Sequence, residues 1–337
     1  MNNAIQEIAQ QVLENKTITR KYAEYLMFLP SQKMAGKEGS AVFDLLYWAN
    51  KIRLKFIGSE ITCCGIISAK QGGCTENCKF CSQSAHYNTN VTEFPFVGND
   101  VITASATASG SIGAGCLGIV TSGYGVNNGH DLERVCEAIS VLSRIHGVTP
   151  HASLGCLTQD AANRLAKSGL KRINHNLETS SRYFPQICTT HSYNDRVATI
   201  KAAKAAGMEV CSGGIFGIGE EVKDRVDLAF ALKELNVDSV PLNFLNPVSG
   251  TPLGSTKPLS PMEILKIIAV YRFIFPDKEI KVAGGREKNL RDLQSWIFYA
   301  GANSIIIGNY LTTHGRPPEE DLQMIKDLGL QVKSSNE

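Results

Sequence analysis

The sequence predicts an α/β protein built as a (β/α)8 TIM-type barrel with an N-terminal helical cap. Two observations support this prediction: eight short apolar runs alternate with helical patterns, and no linker or internal repeat divides the 337 residues. Alternating strands and helices indicate a parallel sheet. Eight such units favour a closed barrel over an open sheet, and one α/β barrel can use a chain of this length.

The chain begins with segments whose apolar residues recur at three- and four-residue steps, the period of an amphipathic helix. Two of them, IQEIAQQVLEN and TRKYAEYLMFL, precede a third, SAVFDLLYWANKIRLKFIG, which leads toward the body of the protein. We therefore expect a helical cap over residues 1–50, the barrel over residues 51–322, and the end of a helix with a tail over residues 323–337.

The predicted strands are short apolar runs separated by helical stretches such as TQDAANRLAKSG, EEVKDRVDLAFALKEL and SPMEILKIIAVYRFIF. They are predicted at residues 61–68, 116–122, 149–154, 172–178, 209–216, 239–245, 279–285 and 303–309. In barrels of this kind, active-site residues gather at the C-terminal ends of the strands, so we expect the functional groups there.

The charge of the chain is nearly balanced, with 34 Lys and Arg against 32 Asp and Glu and a formal net charge of +2. Such a balance provides no basic footprint for nucleic acid or an anionic membrane. No apolar run reaches the roughly 18 residues that a membrane span needs. The N-terminal segment lacks the features of a secretory signal. We expect a cytoplasmic protein without nucleic-acid or membrane partners.

Ten cysteines occur, and in a reducing compartment clustered cysteines indicate metal or catalytic groups. Three of them, Cys74, Cys78 and Cys81, form C-x3-C-x2-C in the segment GGCTENCKFC. Three thiolates can hold three irons of a 4Fe-4S cluster and leave the fourth open to a small molecule. The alternative is a zinc site completed by His86. Cys136, alone in the helical segment DLERVCEAISVLSRIH, is predicted to be a small buried hydrophobe.

Polar and sulfur-containing residues interrupt predicted strands that a buried parallel sheet should fill with apolar side chains. Burial of such groups is costly unless they have partners or a function. They are Cys116, Asn174, Asn176, Glu178, Cys211, Asn243 and Lys281. Their number predicts a functional site inside the barrel.

The cysteine spacing, with Phe80 before the last cysteine, resembles the signature of the radical SAM superfamily, and the chain after residue 50 is similar to the biotin synthase family. The segments that carry the second resemblance include NHNLETSSRYF, VCSGGIFGIGE, VPLNFLNPVSGTPL and AGANSIIIGNYLTT, in family order. The resemblance implies sulfur insertion into dethiobiotin to form biotin. A 5′-deoxyadenosyl radical, made from S-adenosylmethionine at the 4Fe-4S cluster, would abstract hydrogen, and an auxiliary iron–sulfur cluster would donate sulfur. A closed barrel suits this chemistry because it excludes water.

The resemblance also implies roles for individual residues. The three loop cysteines correspond to ligands of the radical-generating cluster, and Arg196 corresponds to the partner of the S-adenosylmethionine carboxylate. Asn176 and Glu178 correspond to contacts of its ribose region. The remaining residues are Gly213, Gly214 and Gly217, for close approach of the backbone to the cofactor, and Asn174, Asn243, Thr312 and Thr313, for the ureido and carboxylate groups of dethiobiotin.

Two positions depart from the family pattern for the auxiliary cluster, which uses three cysteines and one arginine. Cys116 and Cys211 match two of the cysteines, but His151 stands in place of the third and Lys281 in place of the arginine. Histidine can ligate such a cluster. Lysine is not equivalent to arginine, because it lacks the planar guanidinium fork.

An additional cysteine on the first predicted strand compensates for the one that is missing. Neighbouring residues on a strand point to opposite faces, so one of Cys63 and Cys64 faces the lumen. The resemblance implies that this is Cys64, because the register against the matching segment of the family places it there. We therefore expect Cys64, Cys116 and Cys211 to hold a 4Fe-type cluster, with an extra sulfide on its open iron as the donated sulfur.

Several alternatives remain open from the sequence. The auxiliary cluster could be a 2Fe-2S cluster with Cys64 or His151 as the replacement ligand, or it could take Cys188 as a fourth thiolate, with Cys156 a weaker candidate. The functional alternative is a radical SAM enzyme of the same subfamily that makes no C–S bond, such as a mutase or a cofactor-maturation enzyme. The resemblance further implies a reducing electron donor of the flavodoxin or ferredoxin type and a homodimer.

Overall fold

The strands of the barrel alternate with helices along the chain in a computed structural model that describes residues 2–31 and 41–333. The strands are β1 Glu60–Lys70, β2 Cys116–Thr121, β3 Thr149–Ser153, β4 Arg172–Asn174, β5 Glu209–Cys211, β6 Gly214–Phe216, β7 Ser239–Phe244, β8 Glu279–Val282, β9 Ser304–Ile306 and β10 Gln331–Val332. All their pairings are parallel, and β9 pairs again with β1, which closes the sheet into a barrel. The predicted α/β barrel is therefore confirmed.

The helices surround the barrel and precede it. They are α1 Asn3–Leu13, α2 Arg20–Met27, α3 Ala41–Phe56, α4 Asn99–Ser111, α5 Gly129–Leu142, α6 Gln159–Lys167, α7 Tyr193–Ala205, α8 Val222–Glu234, α9 Pro261–Ile274, α10 Arg286–Leu290, α11 Trp296–Tyr299 and α12 Pro318–Asp327. Two short 3-10 turns lie at Phe184–Gln186 and Arg291–Leu293.

The first three helices form the predicted cap. The side chain of Asn2 accepts hydrogen bonds from the first turn of α1, and that of Thr19 accepts one at the start of α2, so both helices begin at a side-chain cap. The third helix, α3, packs on α1 and on α9. The predicted boundary at residues 50 and 51 falls inside α3, and the one at 322 and 323 falls inside α12, so the domain division stays a prediction.

The apolar helix α9 is covered on nearly every side, because α3 and α2 lie on it from outside and β8 from within. Among the described residues, no helix has the length and apolar character to cross a membrane.

Three details of the sheet differ from the predicted strands. The fourth strand, β4, ends at Asn174, so Asn176 and Glu178 lie in the loop beyond it. The predicted strand 209–216 is split into β5 and β6, both of which pair with β7. The C-terminal strand β10, which the sequence pattern did not indicate, pairs with the start of β1 through Glu60 and Ile61.

A fully buried ion pair joins the first residue of α10 to α12. Arg286 donates to both carboxylate oxygens of Asp321, at 2.9 and 2.6 Å, and both side chains are 0% exposed. We expect Asp321→Asn to lower the free energy of unfolding by about 3–5 kcal/mol, because the buried guanidinium loses its buried counter-charge and keeps only the longer ionic contact to Glu287, at 3.3 Å. Thermal and urea denaturation of the purified protein measure the change.

The neighbouring Glu320 provides the matched control. Its carboxylate pairs with Arg316 at 3.0 Å but is 54% exposed, so Glu320→Gln should cost less than about 1 kcal/mol. Equal effects of the two variants would show that burial of the Asp321 pair is not what stabilises this junction.

Candidate active site

The loop after β1 carries three cysteines into one cavity. Cys74, Cys78 and Cys81 line a space of about 270 Å³ at the mouth of the barrel. Backbone hydrogen bonds fix the loop, since the amide of Ala85 donates to the carbonyl of Cys74 at 2.8 Å and that of Cys81 to the carbonyl of Cys78 at 3.0 Å. The loop starts at Gly72, whose φ of +76° favours glycine.

The zinc alternative is not supported by the position of His86. Its side chain is exposed, and its Nε2 lies 2.9 Å from the carbonyl oxygen of Thr75. The ring is therefore engaged with the backbone of the loop.

Arg196 lies in the wall of the cysteine cavity. The guanidinium donates to the carbonyl of Asn176 at 2.9 Å and lies 3.4 Å from the carboxylate of Glu178. It also lies 5.5 Å from the ring centroid of Phe184, at cation–π distance. The arginine is thus held at the edge of the cavity, where it can pair with an anionic ligand group.

Glu178 occupies an unusual backbone conformation beside this arginine. Its φ is +69°, which costs free energy in a residue other than glycine and is typical of functional sites. Burial raises the pKa of its carboxyl, and the charge of Arg196 acts in the opposite direction. The side-chain amide of Asn176 donates to Glu178 at 3.4 Å, so the two predicted ribose contacts lie together.

A second group, of Cys188, His191 and Glu76, lies in or beside the cysteine loop, whereas the sequence pattern suggested Cys188 only for the auxiliary cluster. The Sγ of Cys188 lies 3.7 Å from the Sγ of Cys78. His191 bridges Glu76 and Arg196, with Nδ1 2.6 Å from the carboxylate and Nε2 accepting from the arginine at 3.1 Å. The segment CTTH contains both Cys188 and His191 but has no ligand spacing of its own, so only the fold reveals their proximity to the cysteine loop.

Two glycines of the segment SGGIFGIGE, Gly213 and Gly214, pack against backbone atoms. A side chain on Gly213 would place its Cβ 1.8 Å from the carbonyl oxygen of Pro241, and one on Gly214 would place it 2.4 Å from that of Glu178. Gly217 has φ +86° at the turn after β6. The absence of side chains at Gly213 and Gly214 therefore permits close packing of neighbouring segments, and their contact with a cofactor stays a prediction.

A second cavity of about 300 Å³ lies deeper in the barrel. The predicted residues that line it come from six strands and from the loops beyond β4 and β9. They are Cys64, His151, Asn174, Asn176, Cys211, Asn243, Lys281 and Thr312. The fold thus brings the strand cysteines and the predicted substrate residues into one space.

The cysteine pair on β1 divides between the two faces of the strand. Cys64 faces the lumen and accepts a hydrogen bond from the thiol of Cys116, with the two sulfurs 2.7 Å apart. This bond and the charge of Lys281 lower the pKa of Cys64 below its ordinary value, although burial acts in the opposite direction. Cys63 packs in the outer hydrophobic core, where burial raises its pKa to about 12. The register of β1 thus makes Cys64 the thiol that faces the lumen.

His151 lies close to Cys64 and Cys116 and adds a third potential metal ligand to these two thiols. Ligand atoms of Cys64, Cys116 and His151 lie within 4.8 Å of one another, and all three residues are buried. Burial and the charges of Arg172 and Lys281 hold the pKa of His151 well below its ordinary value, so the ring is neutral and has a nitrogen able to bind a metal.

The third strand cysteine, Cys211, ends β5 and lies across the same cavity. It is fully buried near Ser239, to which its Sγ donates at 3.4 Å. Cys116 is the first residue of β2, and Cys211 pairs with Ser239, the first residue of β7, so these sulfurs lie deeper than the C-terminal ends of the longer strands where we expected the chemistry. The cysteine loop occupies that end instead.

Two cysteines considered for the deeper site lie elsewhere. Cys188 contacts Cys78, and Cys156 lines the cavity of the cysteine loop. Their positions therefore do not support the option of a fourth thiolate on the auxiliary cluster. Cys136 packs against the core from α5, although it is half-buried and not buried as predicted.

Asn174 is placed between the two cavities and lines both. Its buried Oδ1 has no hydrogen-bond partner among the described residues, so it can accept from a ligand N–H group. Asn243 is tied to the backbone, since it donates to the carbonyl of Gly214 at 3.2 Å and accepts from the amide of Gly284 at 2.9 Å.

The two threonines predicted to bind substrate follow β9 at the barrel mouth. Thr312 lines the deeper cavity and lies 3.2 Å from Ser82 of the cysteine loop, oxygen to oxygen. Thr313 lines a space beside it, with the amide of Tyr310 donating to its carbonyl at 3.0 Å. They provide hydroxyl and amide groups where a ligand would enter.

Comparison with known proteins adds to this geometry. The radical SAM superfamily model matches residues 69–232, and the biotin and thiamin synthesis associated domain model matches residues 241–331. Biotin synthase of Geobacter sulfurreducens is 47% identical over 336 residues and covers 100% of both chains. Biotin synthase of Geotalea uraniireducens is 48% identical over 332 residues and covers 98% of each.

Solved structures show the same fold at low identity. A crystal structure of methylornithine synthase superposes with a TM-score of 0.83 at 18% identity, covering 97% of this chain and 98% of that one. A maturase of the [FeFe]-hydrogenase superposes with a TM-score of 0.81 at 15% identity, covering 97% of this chain and 75% of that one. At these identities the likeness concerns the fold alone.

Proposed function

The chain belongs to the biotin synthase family, and from that premise we propose how its residues divide the reaction between two cavities. The enzyme inserts sulfur into dethiobiotin to form biotin and uses a 4Fe-4S cluster and S-adenosylmethionine. Relatives that match over the full length support this activity over that of a mutase or a maturation enzyme. The observation that carries the division is that Ser153, Asn174, Asn176 and Leu311 line both cavities.

We assign the outer cavity to the 4Fe-4S cluster and S-adenosylmethionine. Cys74, Cys78 and Cys81 would hold the cluster, since three thiols in one cavity match three irons. Arg196 would pair with the S-adenosylmethionine carboxylate. Asn176 and Glu178 would accept from or donate to its ribose, and their mutual contact fixes both side chains before the cofactor binds.

We assign the deeper cavity to dethiobiotin above an auxiliary iron–sulfur cluster. Cys64, Cys116 and Cys211 would be its thiolate ligands, in a 4Fe-type cluster with an extra sulfide. The neutral ring of His151, close to the first two, supports the alternative of a 2Fe-2S cluster with a histidine ligand. Asn174, Asn243, Thr312 and Thr313 would bind the ureido and carboxylate groups of dethiobiotin.

When bound, the cofactors supply a radical able to break unactivated C–H bonds, together with the inserted sulfur, which acid–base side chains cannot provide. The protein contributes position and exclusion of water. Asn174 and Asn176 stand at the junction, so a substrate held there has one side toward each cavity. The closed sheet surrounds the junction, which keeps solvent away from a reactive carbon.

We also propose the cellular setting. Ten cysteines without a disulfide suit a reducing cytoplasm. A flavodoxin- or ferredoxin-type donor would deliver electrons to the cluster at the barrel mouth, and the enzyme would act as a homodimer.

An anaerobic assay tests the proposed function. The reconstituted protein, given dethiobiotin, S-adenosylmethionine and a reductant, is expected to produce biotin together with 5′-deoxyadenosine. Omission of dethiobiotin should remove biotin from the products. If neither product forms in a protein that carries its full iron content, the proposed function is wrong.

Removal of the Asn174 side chain should weaken substrate binding. The unpartnered Oδ1 is expected to accept one ureido hydrogen bond, worth about 1–1.5 kcal/mol. Asn174→Ala should therefore raise the Kd for dethiobiotin by about 5–13-fold, measured by anaerobic titration calorimetry with S-adenosylmethionine present. Asn163→Ala, at an exposed position on α6, should leave the Kd unchanged. An unchanged Kd in Asn174→Ala would exclude this contact.

A further inference from the structure

A loop between β9 and α12 forms part of the wall of the deeper cavity. We call residues 308–315 the mouth loop; they contain neither helix nor strand. Its two ends pack on each other, because a Cβ on Gly315 would lie 2.0 Å from the carbonyl oxygen of Gly308. The amide of Gly315 also donates to the side chain of Asn309, at 3.3 Å. The mouth loop is therefore a compact unit, and its orientation depends on what holds its middle.

The middle of the mouth loop carries the side chains that a ligand would meet. Tyr310, Leu311 and Thr312 line the deeper cavity, and Thr313 lines the space beside it. A hydrogen bond from the amide of Tyr310 to the carbonyl of Thr313, at 3.0 Å, links the start and the end of this segment. Both threonines are exposed, so the position of their hydroxyl groups depends on the loop backbone.

Tyr310 fixes the mouth loop to the barrel. Its hydroxyl lies 3.1 Å from the carbonyl oxygen of Ala283, just beyond β8, and 3.1 Å from the carboxylate of Glu287 on α10. The hydroxyl has one proton, and either oxygen can accept it. The phenol thus joins the loop after β9 to the segment after β8.

The buried ion pair between α10 and α12 holds this anchor in turn. The guanidinium of Arg286 lies 3.3 Å from the Glu287 carboxylate and donates to Asp321 at 2.6 Å. It also lies 3.3 Å from the carbonyl oxygen of Ile306, the last residue of β9. The groups around the Tyr310 hydroxyl are therefore fixed before any ligand enters, and substrate binding does not have to order the mouth loop.

We propose that Tyr310 is a positioning residue for substrate binding, whose hydroxyl holds the mouth loop so that Thr312 and Thr313 face dethiobiotin. The inference rests on the proposed function, which assigns these two threonines to the substrate. The aromatic ring forms part of the cavity wall, whereas the hydroxyl acts through the loop.

Tyr310→Phe tests this role because it removes the hydroxyl and keeps the ring. The variant is expected to retain the wild-type iron content and the Kd for S-adenosylmethionine. Its Kd for dethiobiotin, measured by anaerobic titration calorimetry, should rise about 3–10-fold, since one hydrogen bond that orders the loop is lost. At saturating dethiobiotin the rate of biotin formation should be unchanged, so that the loss appears in KM alone.

Tyr299→Phe is the matched control. Tyr299 lies on α11 and is 39% exposed, so its hydroxyl should affect neither Kd. An unchanged Kd for dethiobiotin in Tyr310→Phe, or a lower kcat with an unchanged KM, would overturn the inference. If the wild-type protein with its full iron content binds no dethiobiotin at all, the proposed function itself is wrong.

A double-mutant cycle separates positioning from a general loss of structure. In a protein that already carries Thr312→Val and Thr313→Val, Tyr310→Phe should raise the Kd for dethiobiotin little further, because its hydroxyl acts through these two side chains. Combined with Asn174→Ala, on β4, Tyr310→Phe should keep its full effect. An equal effect of Tyr310→Phe in the wild-type and double-valine backgrounds would show that the hydroxyl does not act through the threonines.

Discussion

Replacement of Cys78 by alanine is expected to reduce both biotin and 5′-deoxyadenosine to undetectable levels. Cys78 is one of three thiols in the outer cavity, and a cluster that loses one of three protein ligands cannot be held in place for S-adenosylmethionine. No side chain in the barrel can substitute, because acid–base groups do not break unactivated C–H bonds. Product analysis by liquid chromatography, with iron counted in the same sample, measures the effect.

Two other cysteines make this experiment specific. Cys136→Ala removes a thiol on α5 that packs against the core, and it should leave both products and the iron content unchanged. Cys188→Ala removes the sulfur 3.7 Å from Cys78; since Cys188 lies outside the proposed ligand set, iron should be retained. Formation of 5′-deoxyadenosine by Cys78→Ala at the wild-type rate would refute the ligand set of the outer cavity.

Replacement of Cys64 by alanine is expected to separate the two products. Biotin should become undetectable, whereas 5′-deoxyadenosine should still form, because the outer cavity keeps all three of its cysteines. The iron content should fall by the irons of the second cluster, and Mössbauer spectra should lose only that component. The physical reason is the position of the Cys64 sulfur, 2.7 Å from that of Cys116 in the deeper cavity.

The neighbouring residue provides a control one position away on the same strand. Cys63 is 1% exposed in the outer core, so Cys63→Ala should cost about 1 kcal/mol of stability and keep both iron and biotin formation. If Cys63→Ala and Cys64→Ala lose the same amount of iron, the proposal that the lumen-facing thiol of Cys64 is the cluster ligand is wrong.

Local patterns predicted the barrel, and the resemblance to the family predicted which side of β1 faces the lumen. Strand period alone indicates that Cys63 and Cys64 oppose each other, and the register against β2 then places Cys64 beside Cys116. The same reasoning predicted a fourth strand that is too long. The alternation of polar and apolar residues continues through Asn176 and Glu178, but the strand itself ends at Asn174. The positive φ of Glu178 is a tertiary effect with no sequence signal.

The ion pair between Arg172 and Glu279 could not be predicted from the sequence pattern. Arg172 and Glu279 are separated by more than a hundred residues and stand at strand starts, where a charged residue ordinarily indicates solvent. Only the closure of the sheet brings them within 3.2 Å. The same holds for His191 and Glu76, which meet at 2.6 Å through two loops. Contacts between side chains of distant segments can be predicted only when the strand register of the whole barrel is known.

The pairing of β9 with β1 closes the barrel, and it can form only late in the synthesis of the chain. Cys64 and Cys116 lie on adjacent strands, whereas β9 pairs Ile306 with Cys64 only after most of the chain exists. At ribosomal rates of about 5–20 residues per second, the intervening length takes roughly 10–40 s to synthesise. During that interval the nascent sheet has a free edge along β1, beside the two thiols. The wall of the deeper cavity on this side is therefore complete only after β9 has been synthesised and has paired with β1.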